Sequence, residues 1–260
     1  MNRPPTIADL RSLKGVRQIC TVHVDNALEA AAAMEAGIEM FTFEVDERLE
    51  AVRSAAPDAF IQAGYPQGHM ASEEIAVRDG FAALERGVGA IYFAGSMRLV
   101  EAMSREGIPV CGHVGYVPRW HTWTNVRAVG KTEVEVRALW QKIKDLENAG
   151  ACLVEMELVP VPVADFITRN TSLITEGMGC GAVCDTQYLF SCDVLGTNVG
   201  HVPRHAKVYA NLAAEEARLQ EMRTHAFSRF AADVRSGGYP ERCHEIHIDD
   251  EVLELLDKLG

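Results

Sequence analysis

The sequence predicts a single (β/α)8 barrel domain over residues 1–260. Short apolar stretches with strand character alternate with helical stretches along the whole chain. In MEAGIEM, LERGVGA, SREGIPV and ENAGACL, a helix ends at a glycine just before the next strand. Repeated units of this kind favour parallel strands with right-handed crossovers, and their number favours a closed barrel over an open doubly wound sheet.

The alternation assigns each element in chain order. We predict strands near 18–24, 39–45, 59–63, 89–94, 108–113, 152–158, 172–177 and 194–198. We predict helices near 26–36, 47–55, 71–86, 97–106, 132–149, 162–169, 185–191 and 211–235. The longest irregular stretch, residues 115–131, is expected over the barrel mouth, either as a lid or binding loop or as a packed loop or subunit contact.

The composition, 48% hydrophobic and 24% charged, is that of a soluble globular protein. A net charge of −12 argues against binding to nucleic acid or to an anionic membrane surface, but leaves an anionic small substrate open. No apolar stretch is long enough to span a bilayer, and the N-terminal segment does not resemble a signal peptide. The 7 cysteines include no CxxC pair, which indicates free thiols in a reducing cytoplasm.

Two predicted strands end in residues that can do chemistry: His113 in IPVCGHVG, and Glu155 and Glu157 in VEMEL. Polar residues at the carboxyl ends of barrel strands usually face the substrate. A partly desolvated carboxylate has a raised pKa and can remove a proton next to a ketone, while a nearby donor stabilises the enolate. Glu157 is therefore the candidate base and His113 the candidate donor. The alternatives are an ion-paired surface glutamate and a structural histidine.

Two further features lie near these residues. Glu155 is on the same side of its strand as Glu157, and two like charges this close would tune Glu157 or provide a second ligand. The glycine-rich GMGCG at 177–181, predicted to lead into a helix, has backbone amides that suit a carboxylate or carbonyl oxygen around Gly179.

Several segments match one enzyme family in unbroken order. The most specific are IPVCGHVGYVP at 108–118, LENAGACLVEMELVPVPVADFIT at 146–168, EGMGCGAVCDTQ at 176–187 and VLGTNVGHVPRHAKVY at 194–209. SGGYP at 236–240 also matches, and TVHVDNALEAAAAMEAGI at 21–38 matches more loosely. In these segments the chain resembles the ketopantoate hydroxymethyltransferases, a branch of the phosphoenolpyruvate mutase/isocitrate lyase superfamily of α/β barrels.

The resemblance implies an aldol-type addition in pantothenate biosynthesis. A one-carbon unit from methylenetetrahydrofolate is joined to the α-carbon of a small 2-oxo acid, which a divalent metal, usually Mg²⁺, holds. Glu157 matches the general base of the family, and His113 matches the histidine of its Cys-Gly-His-Leu-Gly sequence. The family forms symmetric rings, which implies a homo-oligomer.

The first part of the chain departs from the family pattern. Two metal-associated aspartates of the family fall at Val45 and Gly64, its substrate-binding lysine falls at Tyr92, and a nearby glutamate falls at Ala94. The site therefore has to be built from other residues.

We expect Glu44, Asp46 and Glu155 to provide metal ligands in place of the missing aspartates. A mixed carboxylate and histidine set would favour a transition metal over Mg²⁺. Substrate contacts are expected from Tyr92, Asp46 and Gly179.

Three functions are compatible with this pattern. The first is a hydroxymethyltransferase of the family type with a rearranged metal site. The second is a lyase, hydrolase or decarboxylase of the same superfamily, acting on a 2-oxo acid without the folate step. The third is a barrel that is not an enzyme and serves as a binding or structural partner, since fold alone does not decide function.

Overall fold

The structure, a computed structural model, describes residues 3–198 and 200–259. The chain forms two compact units, Met1–Ala210 and Asn211–Gly260. All the barrel strands lie in the first unit. The assignment of residues 1–260 to one barrel domain stays a prediction.

Unit 1 is a closed barrel of parallel strands arranged in chain order. Strand β1 pairs with both β2 and β8, which closes the barrel. This confirms the predicted (β/α)8 fold. The strands are β1 Ile19–His23, β2 Met40–Glu44, β3 Phe60–Gly64, β4 Ala90–Tyr92, β5 Val110–Gly115, β6 Leu153–Glu157, β7 Ile174–Met178 and β8 Thr186–Phe190.

Helices surround the barrel. In unit 1 they are α1 Ile7–Leu13, α2 Ala27–Glu35, α3 Leu49–Ala55, α4 Glu73–Glu85, α5 Met97–Arg105, α6 His121–Thr124, α7 Glu133–Asn148, α8 Val161–Asn170 and α9 Ser191–Leu195. Helix α7 shows how the sequence sets such a helix: Thr132 caps its first turn by accepting a hydrogen bond from the Glu135 N–H, and Leu139, Ile143 and Leu146 form its buried side.

The prediction was wrong between β7 and α9. Residues 185–191 were assigned to a helix and 194–198 to the last strand, whereas β8 is Thr186–Phe190 and α9 is Ser191–Leu195. The TQYLF segment is rich in β-branched and aromatic residues, and its strand is completed by pairing with β1, which no local pattern reveals. The GMGCG segment therefore leads into β8 and not into a helix.

The barrel interior changes from apolar to polar along the strands. Alternate residues of each strand point inward, and the lower ones form an apolar cluster: Ile19, Met40, Phe60, Ala90, Cys111, Leu153 and Ile174. Two residues further along the same strands the side chains are polar: Thr21, Thr42, Gln62, Tyr92, His113, Glu155 and Glu176.

Side-chain hydrogen bonds across the barrel confirm that these polar side chains meet in its interior. The Gln62 amide on β3 lies 3.3 Å from the Glu176 carboxyl on β7. The hydroxyl groups of Thr42 on β2 and Tyr188 on β8 lie 2.9 Å apart. The polar groups thus rest on an apolar floor and face the carboxyl-terminal mouth.

The segment predicted as irregular, residues 115–131, contains a short 3-10 helix at Pro118–Trp120, followed by α6. Tyr116 and Val117 are buried, while Trp120 and Trp123 are exposed. The start of this segment therefore packs against the barrel, and its aromatic side chains do not cover the site.

Unit 2 contains the long helix α10 Leu212–Ser236, a 3-10 turn at Arg242–His244 and α11 Asp250–Leu259. The helix predicted at 211–235 is confirmed. Leu219, Phe227 and Phe230 of α10 are exposed apolar side chains. Within residues 3–198 and 200–259, no helix has both the length and the apolar character needed to span a membrane.

Candidate active site

A cavity of about 320 Å³ opens at the carboxyl-terminal ends of the strands. Catalytic sites of (β/α)8 enzymes lie at this end of the barrel. The lining includes ionisable or hydrogen-bonding side chains from five strands: His23, Glu44, Tyr92, His113, Glu155 and Glu157. The structure therefore places most of the predicted site residues around this one cavity.

Glu157 is the last residue of β6, and its side chain is only 12% exposed. Burial raises its pKa to about 7, so the carboxyl exchanges its proton near neutrality. The next residue, Leu158, has a φ of 54°, a left-handed conformation that is unfavourable for a non-glycine residue. Two backbone hydrogen bonds hold this turn, from Leu158 N–H to the Met178 carbonyl and from Val129 N–H to the Leu158 carbonyl.

His113 on β5 is 3% exposed, and burial lowers its pKa to about 4, so the ring is neutral near pH 7. Its Nε2 lies 2.7 Å from the Tyr116 carbonyl oxygen, which only accepts, so Nε2 carries the proton. Nδ1 then accepts a 2.6 Å hydrogen bond from the Tyr92 hydroxyl.

The neutral ring has a single N–H, and this N–H donates to the Tyr116 carbonyl. His113 therefore has no free donor for a substrate oxygen, which was its expected role. The distances from His113 to Glu155, 3.7 Å, and to Glu157, 3.5 Å, are contacts of a neutral ring and not ion pairs. His113 instead orients the Tyr92 hydroxyl.

Two carboxyl groups are buried below Glu157. Burial, together with the neighbouring Glu176 and Glu157 charges, raises the pKa of Glu155 well above its usual range. Burial also raises the pKa of Glu176 to about 8. Both groups therefore carry protons at neutral pH, and a protonated carboxyl can donate a hydrogen bond.

Glu176 was missed by the sequence reading. It pairs with Glu155 across β6 and β7, and its side chain points into the barrel. The signal was present in ITEGM, because Glu176 is two residues beyond the inward-facing Ile174. This alternation identifies Glu176 as a residue of the barrel interior only once it is known which face of β7 points into the barrel.

Glu44 and Asp46 do not join this cluster. Arg48 contacts Asp46 at 2.5 Å and Glu44 at 3.3 Å, and its backbone N–H donates to the Asp46 carboxylate at 2.8 Å. Glu44 lines the edge of the cavity and is mostly exposed. The predicted metal set of Glu44, Asp46 and Glu155 is therefore not assembled, because Arg48 holds the first two carboxylates at the rim.

Gly179 lies in the turn after β7, with a φ of 72°. A Cβ atom there would lie 2.9 Å from Leu158 and 3.3 Å from His205, so the site is closely packed. Met178, and not Gly179, is the residue of this turn that lines the cavity. Gly179 thus shapes the turn beside Glu157, and its proposed contact with substrate stays a prediction.

Within the part of the chain that the structure describes, His113, Glu155 and Glu157 form a group with ligand atoms within 4.8 Å of one another. These residues do not fit Mg²⁺, because Mg²⁺ takes oxygen ligands and His113 offers only nitrogen. Both His113 nitrogens are hydrogen-bonded, and Glu155 is held in its protonated form. The mixed nitrogen and oxygen set is of the kind that transition metals use.

Residues 17–242 match the model of the family described as ketopantoate hydroxymethyltransferase. The chain belongs to this family. It is 32% identical over 263 residues to a 3-methyl-2-oxobutanoate hydroxymethyltransferase of Thermotoga maritima, covering 92% of this chain and 95% of that protein. It is 34% identical over 214 residues to an enzyme of the same name from Deinococcus radiodurans, covering 80% and 73%.

The barrel is also similar to a solved structure of oxaloacetate acetylhydrolase in complex with 3,3-difluorooxalacetate. The TM-score is 0.54 at 12% identity, with 91% of this chain and 98% of that chain covered. At this identity the likeness shows the fold alone.

Compared with the pattern of the ketopantoate hydroxymethyltransferase family, the chain has different residues at the mouth of the barrel. Val45, at one expected aspartate position, is buried in the apolar layer between strands and helices. Gly64 and Tyr92 occupy the other expected aspartate and lysine positions, and both line the cavity. Glu157 thus occupies the position at which the resemblance predicts the general base, while Val45, Gly64 and Tyr92 stand where it predicts two aspartates and a lysine.

Proposed function

We propose that this protein adds a hydroxymethyl group to the α-carbon of a small 2-oxo acid, with Glu157 as general base. The observation that carries the proposal is a strand-end carboxyl with a pKa of about 7 in the mouth of a family barrel. A base that titrates near neutrality is ionised often enough to act and basic enough to accept a proton from carbon.

The reaction follows from two carboxyl groups in opposite protonation states. Glu157 removes the proton from the carbon next to the substrate carbonyl. The protonated carboxyl of Glu155 lines the same cavity and is placed to donate a hydrogen bond to the oxygen that becomes the enolate. Water releases the one-carbon unit of methylenetetrahydrofolate, the proposed donor, as formaldehyde and leaves tetrahydrofolate. The enolate carbon then attacks the formaldehyde carbon, and the formaldehyde oxygen takes up a proton to become the new hydroxyl group.

Tyr92 and His113 set the geometry of this pair. The Tyr92 hydroxyl donates to His113, so its oxygen lone pairs remain as acceptors at the cavity surface. Burial raises the pKa of Tyr92 well above its usual range, so the phenol stays neutral. We assign Tyr92 to substrate contact and His113 to positioning Tyr92.

The divalent metal that the family resemblance implies, Mg²⁺ or a transition metal, stays a prediction, and such an ion would polarise the substrate carbonyl. Metal analysis of the purified protein, with activity measured before and after chelation, tests it.

Proton exchange tests the base separately from the folate step. We expect the protein in D₂O, with 3-methyl-2-oxobutanoate alone, to replace the C3 proton with deuterium, as followed by NMR. Adding methylenetetrahydrofolate should then give the hydroxymethyl product. Exchange without transfer would favour a lyase, hydrolase or decarboxylase, and neither activity would favour a barrel that is not an enzyme.

We also infer that the protein is a cytoplasmic homo-oligomer in pantothenate biosynthesis. The exposed apolar side chains Leu219, Phe227 and Phe230 on α10 support self-association. Sedimentation analysis tests the subunit count, and complementation of a pantothenate auxotroph tests the biosynthetic role.

A further inference from the structure

A second cavity, the outer cavity, of about 420 Å³, adjoins the active-site cavity, here called the deep cavity. Four residues line both cavities: Tyr65, Pro66, Tyr92 and Pro118. The outer cavity extends from these shared residues along the loops that follow β3, β4 and β5. It can therefore take a second, bulkier ligand that meets the oxo acid at the shared boundary.

The walls of the outer cavity suit a flat aromatic group. Tyr65, Tyr92 and Phe93 line it and bring aromatic side chains to its surface. The Tyr65 ring stacks on His69 with the ring centroids 4.5 Å apart, and the Tyr65 hydroxyl donates to the Asp79 carbonyl oxygen at 2.8 Å. These contacts hold the Tyr65 wall in place, and a preformed aromatic wall binds a flat ring with little loss of side-chain freedom.

The outer cavity also contains a cation, Arg119. Its Nη1 donates to the Ala94 carbonyl oxygen at 2.9 Å, and the guanidinium carbon lies 5.3 Å from the centroid of the Trp120 ring. Within residues 3–198 and 200–259, Arg119 forms no ion pair, whereas Arg127 in the same loop pairs with Glu135 at 2.6 Å. The charge of Arg119 is therefore available to a carboxylate of a ligand.

Lys142 on α7 adds a second positive charge nearby. It is half-buried and has no hydrogen-bond or ion-pair partner in the described portion of the chain. Burial lowers its pKa, and the charge of Arg119 lowers it further, so the two cations are close enough to repel. Lys142 does not line the outer cavity, but its charge adds to the positive potential there and favours a ligand with more than one negative charge.

The distance from Arg119 to the shared boundary suits a long ligand. The Ala94 carbonyl that Arg119 contacts is two residues beyond Tyr92, which is at most about 7 Å along the chain. In methylenetetrahydrofolate, the p-aminobenzoylglutamate arm places its first carboxylate roughly 10 Å from the methylene carbon at ordinary bond lengths. This arm is long enough to reach Arg119 while the methylene carbon lies beside Tyr92.

We propose that the outer cavity binds the p-aminobenzoylglutamate arm of the one-carbon donor, with a glutamate carboxylate paired to Arg119. The benzoyl ring then lies against Tyr65, and the methylene carbon lies at the boundary beside Tyr92. Formaldehyde that water releases there passes directly into the deep cavity, where Glu157 has formed the enolate. The inference rests on the proposed function and assigns the donor a site in the loops after β3, β4 and β5.

Calorimetric titration with tetrahydrofolate, the donor without its methylene unit, tests this site. Arg119→Gln should weaken binding about 10- to 100-fold, because a charge-assisted pair to the glutamate carboxylate is lost. Arg119→Lys should recover part of the affinity. The matched control Arg127→Gln removes a cation from the same loop and should bind tetrahydrofolate as the wild type does.

Tetrahydropteroate, which lacks the glutamate, separates charge from packing. The wild type should bind it more weakly than tetrahydrofolate, by a factor similar to the loss in Arg119→Gln. The variant should bind the two ligands alike, since it has no cation to pair with the glutamate. An unchanged affinity for tetrahydrofolate in Arg119→Gln, or an equal loss for both ligands, overturns the inference.

Proton exchange at C3 of the oxo acid needs no folate, so it distinguishes failure of this inference from failure of the proposed function. Exchange by a wild type whose tetrahydrofolate binding does not depend on Arg119 overturns the donor site and leaves the base in place. Binding that is weakened in Arg119→Gln, in a wild type that exchanges no proton, supports the donor site without the reaction. A wild type that does not bind tetrahydrofolate overturns the inference, whatever the exchange result.

Discussion

Gly64 at the end of β3 and Tyr92 at the end of β4 are register partners in close contact. A Cβ atom at position 64 would lie 3.0 Å from Tyr92 Cδ1 and 3.3 Å from the Tyr92 carbonyl oxygen. These are the positions at which the family resemblance expects an aspartate and a lysine. The two departures are therefore one coupled change, because the tyrosine ring occupies the space beside residue 64.

This coupling is measurable. Gly64→Asp should lower the free energy of unfolding by about 1–3 kcal/mol, because the Tyr92 ring must move and its bond to His113 is strained. In a Tyr92→Lys background the ring is absent, and the same change should cost at least about 1 kcal/mol less.

Tyr92→Phe is the matched control for that cycle, since it keeps the ring and removes only the hydroxyl. Gly64→Asp should remain costly in this background. Urea denaturation of the single and double variants gives the coupling energy, and an equal cost of Gly64→Asp in all backgrounds would contradict the steric explanation.

The rate of C3 proton exchange should depend on the protonation of Glu157. Because the base acts as the carboxylate, kcat/KM should rise with pH up to about 7, the pKa of Glu157, and level off above it. Glu157→Gln should lower kcat about 10²- to 10⁴-fold and abolish this rise. Glu133→Gln, on the exposed side of α7, is the control, and a wild-type profile that is flat between pH 5 and 9 would exclude Glu157 as the base.

Glu176 should make the protein less stable as the pH rises. Its folded pKa of about 8 is above the ordinary value of 4.5, so the folded state binds a proton that the unfolded state releases between these values. Stability therefore falls with increasing pH across that window, by up to about 1.4 kcal/mol per pH unit for a single group.

The variant Glu176→Gln should remove the part of this dependence that Glu176 contributes and leave the parts due to the raised pKa values of Glu155 and Glu157. Its amide can also donate to Gln62 Oε1, which has no hydrogen-bond partner among the described residues. Thermal unfolding at pH 6 and pH 8 should show a larger loss for the wild type than for the variant, with Asp165→Asn on the surface of α8 as control. Equal losses of stability between pH 6 and pH 8 in wild type and variant would show that Glu176 does not titrate in this range.

The parts of the fold that sequence predicts are those with a local signal. The β6 strand and α7 were placed within about two residues because apolar periodicity and caps specify them. Strand β8 was misplaced because TQYLF and VLGTN are both short apolar segments, and only pairing with β1 and β7 selects the first.

The candidate site likewise has features with a local sequence signal and features without one. Glu157 and His113 were found because they end strands, but the hydrogen bond from His113 to the Tyr116 carbonyl depends on the turn after β5 and is not visible in residue types. Asp46 stays a predicted site residue, although it is not among the residues that line the deep cavity. Arg48, two residues later, pairs with the carboxylates of both Glu44 and Asp46, and residue types alone do not reveal this pairing.

That pairing gives the final prediction. If Asp46 serves only as a partner of Arg48, Asp46→Asn should change the free energy of unfolding by less than about 1 kcal/mol, because the pair is partly exposed. Metal content and kcat/KM should stay within about 2-fold of the wild type. Elemental analysis and exchange kinetics check both, alongside Glu155→Leu, in which the proposed enolate donor is removed and kcat should fall about 10²- to 10³-fold. A loss of metal or activity in Asp46→Asn comparable to that in Glu155→Leu would return Asp46 to the active site and show that Arg48 releases it when substrate binds.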